Sequence, residues 1–253
     1  MELEQTVLIT QARSGSTRLP KKVLLTINDQ ELLKIHLDRL KKSSEIDHII
    51  VATTVADEDK VIVDLCKQWG ISSFRGAVDD VLDRFYQAAR KFGAKWIVRV
   101  TSDCPLIDPD MVDAVIKLAK INDLDYAANI LEERFPDGQD VEVFKFSALE
   151  RAWKEAKLKS DREHVTLYIR SNSTFKGGTL FKALNFPSFY DYSNIRMTVD
   201  EPHDFELISE LINQLGTSES WITYTKHIIE TKLDEINKNI IRNEGLLKSL
   251  KND

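Results

Sequence analysis

The sequence predicts an α/β fold with a mostly parallel central sheet flanked by helices. Strand-like and helix-like patterns alternate through about the first half of the 253-residue chain, which is the order of βαβ units. Short β-branched, apolar runs such as residues 6–10 are typical of strands buried in a parallel sheet. No internal repeat and no linker rich in Pro, Gly or Ser divides the chain, and its length fits one large domain.

The predicted elements follow one another with short connections. After the strand over residues 6–10 and a loop, apolar residues at helical spacing predict a helix over 31–40. The same reasoning predicts strands over 48–53, 72–74 and 95–101 and helices over 57–69, 78–91 and 108–120, the last with Pro109 in its first turn.

Beyond about residue 125 the alternation is less regular. Strand-like pieces lie at Tyr126 and over residues 141–146 and 195–199, with helices between them. The last segment is charged and weakly amphipathic, which suits packing on the body of the protein or on a partner subunit. We therefore divide the chain into an α/β domain over residues 1–232 and a C-terminal helical tail over 233–253.

Composition excludes several classes of protein. With 35 basic and 41 acidic residues the net charge is −6, whereas proteins that bind the phosphate backbone of nucleic acids usually carry a basic surplus. Cys66 and Cys104 match no zinc or redox spacing. No apolar run approaches the roughly 18 to 20 residues that span a bilayer, and an N-terminus with Glu2 and Glu4 is not a signal peptide. We expect a cytoplasmic protein.

A cationic loop follows the first predicted strand. Residues 11–22 (QARSGSTRLPKK) hold four cations and no carboxylate, and ligands of open α/β sheets bind outside the carboxyl ends of the strands. The backbone N–H groups and hydroxyls of the loop suit phosphate oxygens, while its cations would neutralise their charge. The alternative is a solvated basic loop. The candidate residues are Ala12, Arg13, Ser14, Gly15, Ser16, Arg18 and Lys22.

Two aspartates occupy equivalent places in a repeated pattern. Residues 97–105 and 195–202 both contain the order apolar, Arg, apolar, Thr, any residue, Asp, any residue, Pro. Each window reads as a strand that ends on an aspartate, which places Asp103 and Asp200 at the ligand-binding edge of the sheet. Two carboxylates there could hold Mg²⁺, whose other ligands are commonly water and substrate phosphate. The alternative is that each aspartate caps the helix that follows it.

These motifs resemble those of the cytidylyltransferases that make CMP-activated acidic sugars, such as the CMP-Kdo and CMP-sialic acid synthetases. Residues 12–22 look like their signature loop, Ala-Arg-x-x-Ser-Thr-Arg-Leu-Pro-x-Lys, apart from one variable spacing. The chain is similar almost end to end to the branch named for the spore coat polysaccharide biosynthesis protein SpsF. That similarity rests on residues 76–86, 101–106, 140–144, 161–166, 198–202 and 243–245.

The resemblance implies a Rossmann-like nucleotide-diphospho-sugar transferase fold. It also implies a reaction in which CTP and an acidic sugar, or a related phosphorylated or acidic acceptor, give a CMP conjugate and pyrophosphate for surface glycan biosynthesis. Such a transfer needs cations near the leaving group and a metal ion at the reacting phosphate. Arg13, Arg18 and Lys22 fit the first need, and Asp103 and Asp200 with Mg²⁺ fit the second. Related synthetases suggest a homodimer.

Further site residues follow from their positions relative to the family. Thr53, after a strand, and Arg84 match the nucleotide side, although Thr53 could be an ordinary turn residue and Arg84 could form a salt bridge with Asp80. His164 could accept a proton, yet a lone histidine near a helix is more often structural. The alternation of Asp140 and Glu142 puts both on one face of a strand. The candidate acceptor residues are Gln139, Asp140, Glu142, Glu163 and His164.

Two other functions are compatible with the sequence. A metal-dependent glycosyltransferase of the same broad fold would use an Asp-x-Asp motif at a strand end, and the matches that begin at Asp57, Asp108 and Asp123 are not well placed for this. An inactive nucleotide-binding partner would have less need for both Asp103 and Asp200. The carboxylate of a sugar acid would need a basic residue in the second half of the chain, and Arg134, Arg151, Arg162 and Arg170 are all candidates.

Overall fold

The structure, a computed structural model, describes residues 5–251 and residue 253. In this part of the chain the strands are β1 (Thr6–Gln11), β2 (Thr26–Ile27), β3 (Gln30–Glu31), β4 (His48–Thr54), β5 (Ser72–Gly76), β6 (Trp96–Arg99), β7 (Tyr126–Ala128), β8 (Glu142–Lys145) and β9 (Ala183–Asn185). The strands β2 and β3 pair with each other, and the others form one sheet in the order β5-β4-β1-β6-β8-β7-β9.

The helices lie between these strands and after them. They are α1 (Leu32–Leu40), α2 (Lys60–Gln68), α3 (Val81–Lys91), α4 (Pro109–Ile121), α5 (Phe146–Glu155), α6 (Lys159–Glu163), α7 (Leu167–Ser171), α8 (Pro202–Leu215), α9 (Trp221–Thr231) and α10 (Glu244–Leu250). Short 3₁₀ helices cover Lys22–Leu24, Asp57–Asp59, Thr174–Lys176 and Leu233–Ile236.

The prediction of a mostly parallel sheet is confirmed. Strand β1 lies between β4 and β6 and is parallel to both, β4 is parallel to β5, and β7 is parallel to β9. Only β8 is antiparallel to its neighbours in the described sheet. The carboxyl ends of β5, β4, β1 and β6 therefore meet at one edge, where the following loops lie side by side.

Alternating residues of the strands form two layers of core. Val7 and Ile9 pack on one face with residues of α3 and α5, such as Phe85. Leu8 and Val98 pack on the other face with residues of α4, such as Val115. Because successive side chains of a strand point to opposite faces, an apolar run is what a sheet covered on both sides requires. Burial on both faces leaves the strand ends as the accessible part of the sheet.

The sheet includes no strand over residues 195–199, which corrects the sequence prediction. This segment is extended and forms one isolated bridge, from Arg196 to Asp137. Its backbone N–H groups donate to the carbonyls of two loops, from Met197 to Asp137 at 2.6 Å and from Val199 to Asp103 at 2.8 Å. Gly138 has φ +105°, and a Cβ built there would lie 2.6 Å from the carbonyl carbon of Met197. Glycine is therefore needed for this close approach.

The predicted tail contains two short elements rather than one continuous helix. The 3₁₀ helix Leu233–Ile236 is followed by Asn237, whose buried amide donates to the carbonyl of Arg196 and to Asp204. Helix α10 begins after Asn243, which has φ +59°. The division of the chain at residue 232 stays a prediction. Across the described residues, no helix combines the length and the apolar character needed to cross a membrane.

A buried histidine connects helix α1 to two strand ends. His36 Nδ1 donates to the carbonyl oxygen of Cys104 at 2.9 Å, and its Nε2 lies 3.1 Å from the hydroxyl of Thr10. Burial lowers the pKa of His36 to about 4, against the opposing effect of the Cys104 carbonyl. The neutral ring thus supports the loop that carries Asp103.

We predict that acid destabilises the protein through His36. Since the folded-state pKa lies below that of unfolded histidine, the unfolded state binds more protons between about pH 6.5 and pH 4. The free energy of unfolding should fall by about 2–3 kcal/mol between pH 7 and pH 4.5 from this group alone. Urea unfolding of wild type and His36→Gln at both pH values measures it. Equal losses in the two proteins would contradict the assignment.

Candidate active site

Two adjoining cavities open at the carboxyl edge of the sheet. The first has a volume of about 780 Å³, within the range of small-molecule sites, roughly 300–1,000 Å³. It lies among the loops after β1, β5 and β6. The second, of about 250 Å³, lies toward β8 and the C-terminal segment. Their walls have in common Gln11, Arg18, Thr101, Asp103, His164 and Asp200.

Asp103 and Asp200 converge at the boundary between the cavities, on one ammonium group. Lys22 Nζ donates to Asp103 Oδ2 at 2.9 Å and to Asp200 Oδ1 at 2.6 Å. A guanidinium nitrogen of Arg18 lies 3.1 Å from the other oxygen of Asp200. The sequence prediction that the two aspartates lie together is therefore met by the geometry.

The electrostatics of this contact keep its members charged. Burial lowers the pKa of Lys22, but the carboxylates of Asp103 and Asp200 more than compensate and raise it to about 12. Burial raises the pKa of Asp103, yet the charge of Lys22 and a hydrogen bond from Thr101 hold it well below its usual range. Both groups are thus ionised at neutral pH.

Arg196 orients Asp200 from behind. Its buried guanidinium pairs with Asp137 at 2.5 Å, with Asp204 at 2.8 Å and with Asp200 at 3.3 Å. The carboxylate of Asp204 also accepts from the backbone N–H groups of Asp200 and Glu201. Asp200 is therefore held by its backbone and by its side chain.

Neither aspartate of the pair caps a helix. The cap of α4 is Asp108, which accepts from the Asp110 N–H at 2.9 Å, and the cap of α8 is Glu201. The two windows instead bond to each other, because the Thr198 hydroxyl donates to the Asp103 carbonyl at 3.1 Å. The alternative reading as caps does not hold for either residue.

The cationic loop contributes most of its candidate residues to the first cavity. Ala12, Arg13, Ser16, Arg18 and Lys22 line it. Ser14 and Gly15 do not, which corrects the expected loop. The reason is a contact far along the chain: the N–H of Ser14 donates to Asp59 Oδ1 at 2.6 Å and its hydroxyl donates to the Glu58 carbonyl at 3.3 Å.

Arg84 and Thr53, the two nucleotide-side candidates outside the loop, differ in whether they line a cavity. Arg84 lines the first cavity, but its guanidinium donates to the carbonyls of Ala77 and Val78 and so supports that wall. The suggested salt bridge from Arg84 to Asp80 is absent, since Asp80 pairs with Arg162 at 2.5 Å. Thr53 is fully buried within β4 and lines neither cavity, a second correction.

Of the acceptor candidates, Asp140, Glu142 and His164 line the second cavity, and His164 lines the first as well. Glu163 lines only the first cavity. The prediction that Gln139 faces the acceptor is wrong. Its buried amide accepts from the Asp108 N–H and donates to the Leu106 carbonyl, both at 2.9 Å. Gln139 therefore supports the loop before α4 and lines neither cavity.

Burial and neighbouring charges shift the pKa values of Glu142, Asp140 and His164. Glu142 accepts from Arg99, Tyr126 and Thr166. Burial raises the pKa of Glu142, but the nearby arginines and these hydrogen bonds lower it overall. Burial raises the pKa of Asp140 to about 7, against the opposing effect of Arg242, which donates to it at 2.9 Å. Burial also lowers the pKa of His164, so its ring is neutral at pH 7.

The structure distinguishes the four candidate arginines. Arg134 pairs with Glu132 and Arg151 pairs with Glu155 at the surface, while Arg162 is bound to Asp80 beside the first cavity. Arg170 lines the second cavity. Within residues 5–251 and 253, its guanidinium makes no direct ion pair or hydrogen bond, although, against the effect of burial, the charges of nearby groups such as Glu142 and Asp140 raise its pKa. Arg170 is therefore the candidate that is available to a ligand.

Several site residues were not selected from the sequence. Arg99 and Arg196 occupy the shared Arg position of the two repeated windows, and an arginine inside a buried run is a usable signal. Gln11, at the end of β1, lines both cavities and its buried Oε1 has no partner among the described residues. Asp137 in the second cavity had no local signal, and Glu244 in the same cavity lies in the tail motif over residues 243–245 but was not selected as a site residue.

The Asp-x-Asp motifs serve structural roles. Asp59 accepts from Ser14 and Thr54, Asp108 caps α4, and Asp123 pairs with Lys145 at 2.7 Å. None of the aspartates in these motifs lines either cavity. The geometry therefore does not favour a glycosyltransferase that depends on such a motif.

Asp103 and Asp200 are the residues that would hold a hard divalent cation. Their carboxylate oxygens converge on the ammonium group of Lys22, beside a cavity lined by arginine and lysine side chains. No cluster of three or more His, Cys, Asp or Glu in the described residues is arranged for a metal. Such an ion would take its remaining ligands from water and substrate, as Mg²⁺ commonly does.

The fold and the site define an α/β protein with a cationic ligand cavity and a carboxylate pair at the carboxyl edge of its sheet. The chain belongs to the cytidylyltransferase family, whose sequence model matches residues 7–240. It is 30% identical over 220 residues to the spore coat polysaccharide biosynthesis protein SpsF of Bacillus subtilis, covering 83% of this chain and 87% of SpsF. It is 46% identical over 207 residues to protein MJ1063 of Methanocaldococcus jannaschii, covering 80% and 81%. The resemblance seen in the sequence is confirmed.

Solved structures agree with this assignment. A cytidylyltransferase from Leptospira borgpetersenii superposes with a TM-score of 0.86 at 32% identity, covering 94% of this chain and 99% of that one. A CMP-Kdo synthetase structure complexed with CTP superposes with a TM-score of 0.61 at 16% identity, covering 83% and 99%. At that identity the second match shows the fold alone, which is the nucleotide-diphospho-sugar transferase fold.

We predict that Arg196→Met destabilises the folded protein. The substitution leaves the buried carboxylates of Asp204 and Asp137 without their cation, which typically costs about 3–5 kcal/mol. Guanidinium unfolding of the variant and of wild type at pH 7 measures the loss. Arg151→Met, which removes an arginine from a surface pair with Glu155, is the control and should change stability by less than about 1 kcal/mol. Equal stability of Arg196→Met and wild type would contradict the role of Arg196.

Proposed function

We propose that the protein transfers CMP from CTP to an acidic or hydroxyl-rich sugar acceptor, with release of pyrophosphate, in surface glycan biosynthesis. The observation that carries this proposal is the position of Asp103 and Asp200 at the junction of two cavities of opposite charge balance. Membership of the cytidylyltransferase family supports the choice of CTP, and the similarity to SpsF, a polysaccharide biosynthesis protein, supports the choice of a sugar.

The charge of the first cavity suits a triphosphate. Its walls carry seven arginine and lysine residues against five aspartate and glutamate residues, although the whole chain has a net charge of −6. Arg13, Arg18, Lys157 and Lys159 are among these cations. We therefore place the nucleotide in the first cavity, where the loop after β1 would stabilise charge that builds up on the leaving pyrophosphate.

The second cavity suits the acceptor. Its walls carry four arginines against six acidic residues, so a second polyphosphate would be repelled. Arg170 offers one guanidinium to a carboxylate, which arginine binds in bidentate fashion. The acidic side chains of Asp140 and Glu244 offer oxygens to hydroxyl groups. A sugar acid meets both conditions.

Asp103 and Asp200 would hold Mg²⁺ at the junction. When bound, the ion would neutralise charge on the reacting phosphate and lower the pKa of an acceptor hydroxyl. Arg196 and Arg18 keep Asp200 in place, and the Asp103 carbonyl is bound by Thr198 and Val199. The protein thus contributes mainly positioning and charge stabilisation, without a covalent intermediate. From the resemblance and from its use of CTP, we also propose a cytoplasmic homodimer.

The direct test follows pyrophosphate release. The protein is incubated with Mg²⁺, each of the four ribonucleoside triphosphates in turn, and a panel of sugar acids and phosphorylated sugars. We expect release with CTP that requires both an added acceptor and the metal. Hydrolysis of preformed nucleotide sugars without consumption of triphosphate would instead indicate a glycosyltransferase, and binding without turnover would indicate an inactive partner.

We predict that Asp103→Asn lowers kcat by a factor of at least about 100, because the amide cannot supply the negative charge that the cation needs. The control is Asp64→Asn, which removes a carboxylate from an exposed pair with Lys60 and should keep wild-type kcat. The assay is initial-rate pyrophosphate release at saturating CTP. Full activity of Asp103→Asn would refute the metal assignment.

We also predict opposite effects at the two ends of the site. Arg13 lines only the first cavity and Arg170 lines only the second. Arg13→Ala should raise KM for CTP by about tenfold and leave the KM for the acceptor within about twofold, and Arg170→Ala should do the reverse, since each charged hydrogen bond contributes about 1.5–3 kcal/mol. Steady-state kinetics with each substrate varied measures both. A shift of the same KM in both variants would exclude the two-cavity assignment.

A further inference from the structure

The ammonium group of Lys22 occupies the point at which the two carboxylates meet. Its Nζ lies within 2.9 Å of Asp103 and 2.6 Å of Asp200, and only 15% of the Lys22 side chain is exposed. A divalent cation held by both aspartates would need this same position. The cation and the ammonium group therefore exclude each other.

The Asp pair needs a positive charge even when no metal is present. Two neighbouring carboxylates repel each other, and burial increases that repulsion. Arg18 and Arg196 contact Asp200 but not Asp103 among the described ion pairs. Among the described ion pairs, Lys22 is the cation that contacts both carboxylates.

Lys22 combines a hydrogen-bonded backbone with a long side chain. Lys22 begins the 3₁₀ helix Lys22–Leu24, its N–H donates to Leu19 at 3.2 Å, and its carbonyl accepts from Leu25 at 3.1 Å. A lysine has a flexible four-carbon stem. Lys22 also lines the first cavity, so the ammonium group has a polar space to enter.

We propose that Lys22 is a positioning residue that takes the place of the metal ion: it holds Asp103 and Asp200 together in the metal-free protein, and a divalent cation displaces its ammonium group into the first cavity. In the first cavity the displaced ammonium group would contact a triphosphate, and this part of the proposal rests on the proposed function. The exchange itself involves only the metal and this chain.

The exchange predicts that Lys22→Met binds metal more tightly than wild type. Removal of a competing cation should lower the Kd for Mn²⁺, measured by electron paramagnetic resonance of the free ion, by about tenfold. A residue with a merely structural role would weaken binding when replaced. The matched control is Lys21→Met, because Lys21 is exposed and has no ion pair among the described residues; its Kd should equal that of wild type.

Stability gives a second readout on the same proteins. Without metal, Lys22→Met should unfold about 5 °C below wild type, because the pair has lost its shared cation. Excess Mn²⁺ should remove this difference. An unchanged or weaker Mn²⁺ affinity in Lys22→Met, absence of Mn²⁺ binding in both proteins, or a metal-free melting temperature equal to that of wild type would each overturn the proposal.

Wild-type protein provides a test that does not depend on the folding of a variant. Acetic anhydride acylates accessible lysines, and mass spectrometry quantifies each site. Saturating Mg²⁺ should increase acylation of Lys22 several-fold and leave Lys21 unchanged, and equal acylation of Lys22 with and without Mg²⁺ would contradict the displacement. If these results hold but pyrophosphate is not released from CTP, the proposed function fails and the exchange stands.

Discussion

The contact of Lys22 with Asp103 and Asp200 is the interaction on which the rest of the site depends. It joins three segments that are far apart in sequence, the loop after β1, the loop after β6 and the segment before α8. The parallel arrangement of β1 and β6 brings the first two together. The third is held by Arg196 and by hydrogen bonds to the Asp103 carbonyl. Without this convergence the two cavities would have no common reactive point.

Charge is distributed unevenly over a chain that is acidic as a whole. Cations exceed acids around the first cavity, and acids exceed cations around the second. Under the proposed function, this difference would direct the triphosphate to the first cavity, because the acidic residues around the second cavity would repel it. Residues 243–246 complete the wall of the second cavity and lie outside the part of the chain that the family model matches. The wall of the second cavity is therefore built partly from sequence that the family model does not describe.

Patterns in the local sequence predicted the strands that depend on the spacing of apolar residues. They failed where a segment's hydrogen-bond partners are distant in sequence. The strands β1, β4 and β6 could be predicted because short runs of β-branched, apolar residues are typical of strands buried in a parallel sheet. In residues 195–199 every second residue is apolar, which is the pattern of a strand. An extended segment that packs against α8 without joining the sheet shows the same pattern. The difference lies in the hydrogen-bond partners at Asp103 and Asp137, which no local pattern reveals.

The same distinction applies to the site. The aspartate pair was found because both windows carry the same motif and the sheet topology brings strand ends together. Ser14 and Gln139 could not be assigned correctly from local sequence. The backbone N–H of Ser14 donates to Asp59, 45 residues away, and the side chain of Gln139 accepts from the backbone N–H of Asp108, 31 residues away. Arg170 was one of four candidate arginines, and the structure pairs the other three with Glu132, Glu155 and Asp80.

The most direct test of the central claim is a crystal structure of the protein grown with CTP and Mn²⁺, with anomalous diffraction used to locate the metal. We expect an anomalous peak between the carboxylates of Asp103 and Asp200, with the triphosphate in the first cavity beside Arg13 and Arg18. A peak elsewhere, or a nucleotide bound away from these aspartates, would contradict it.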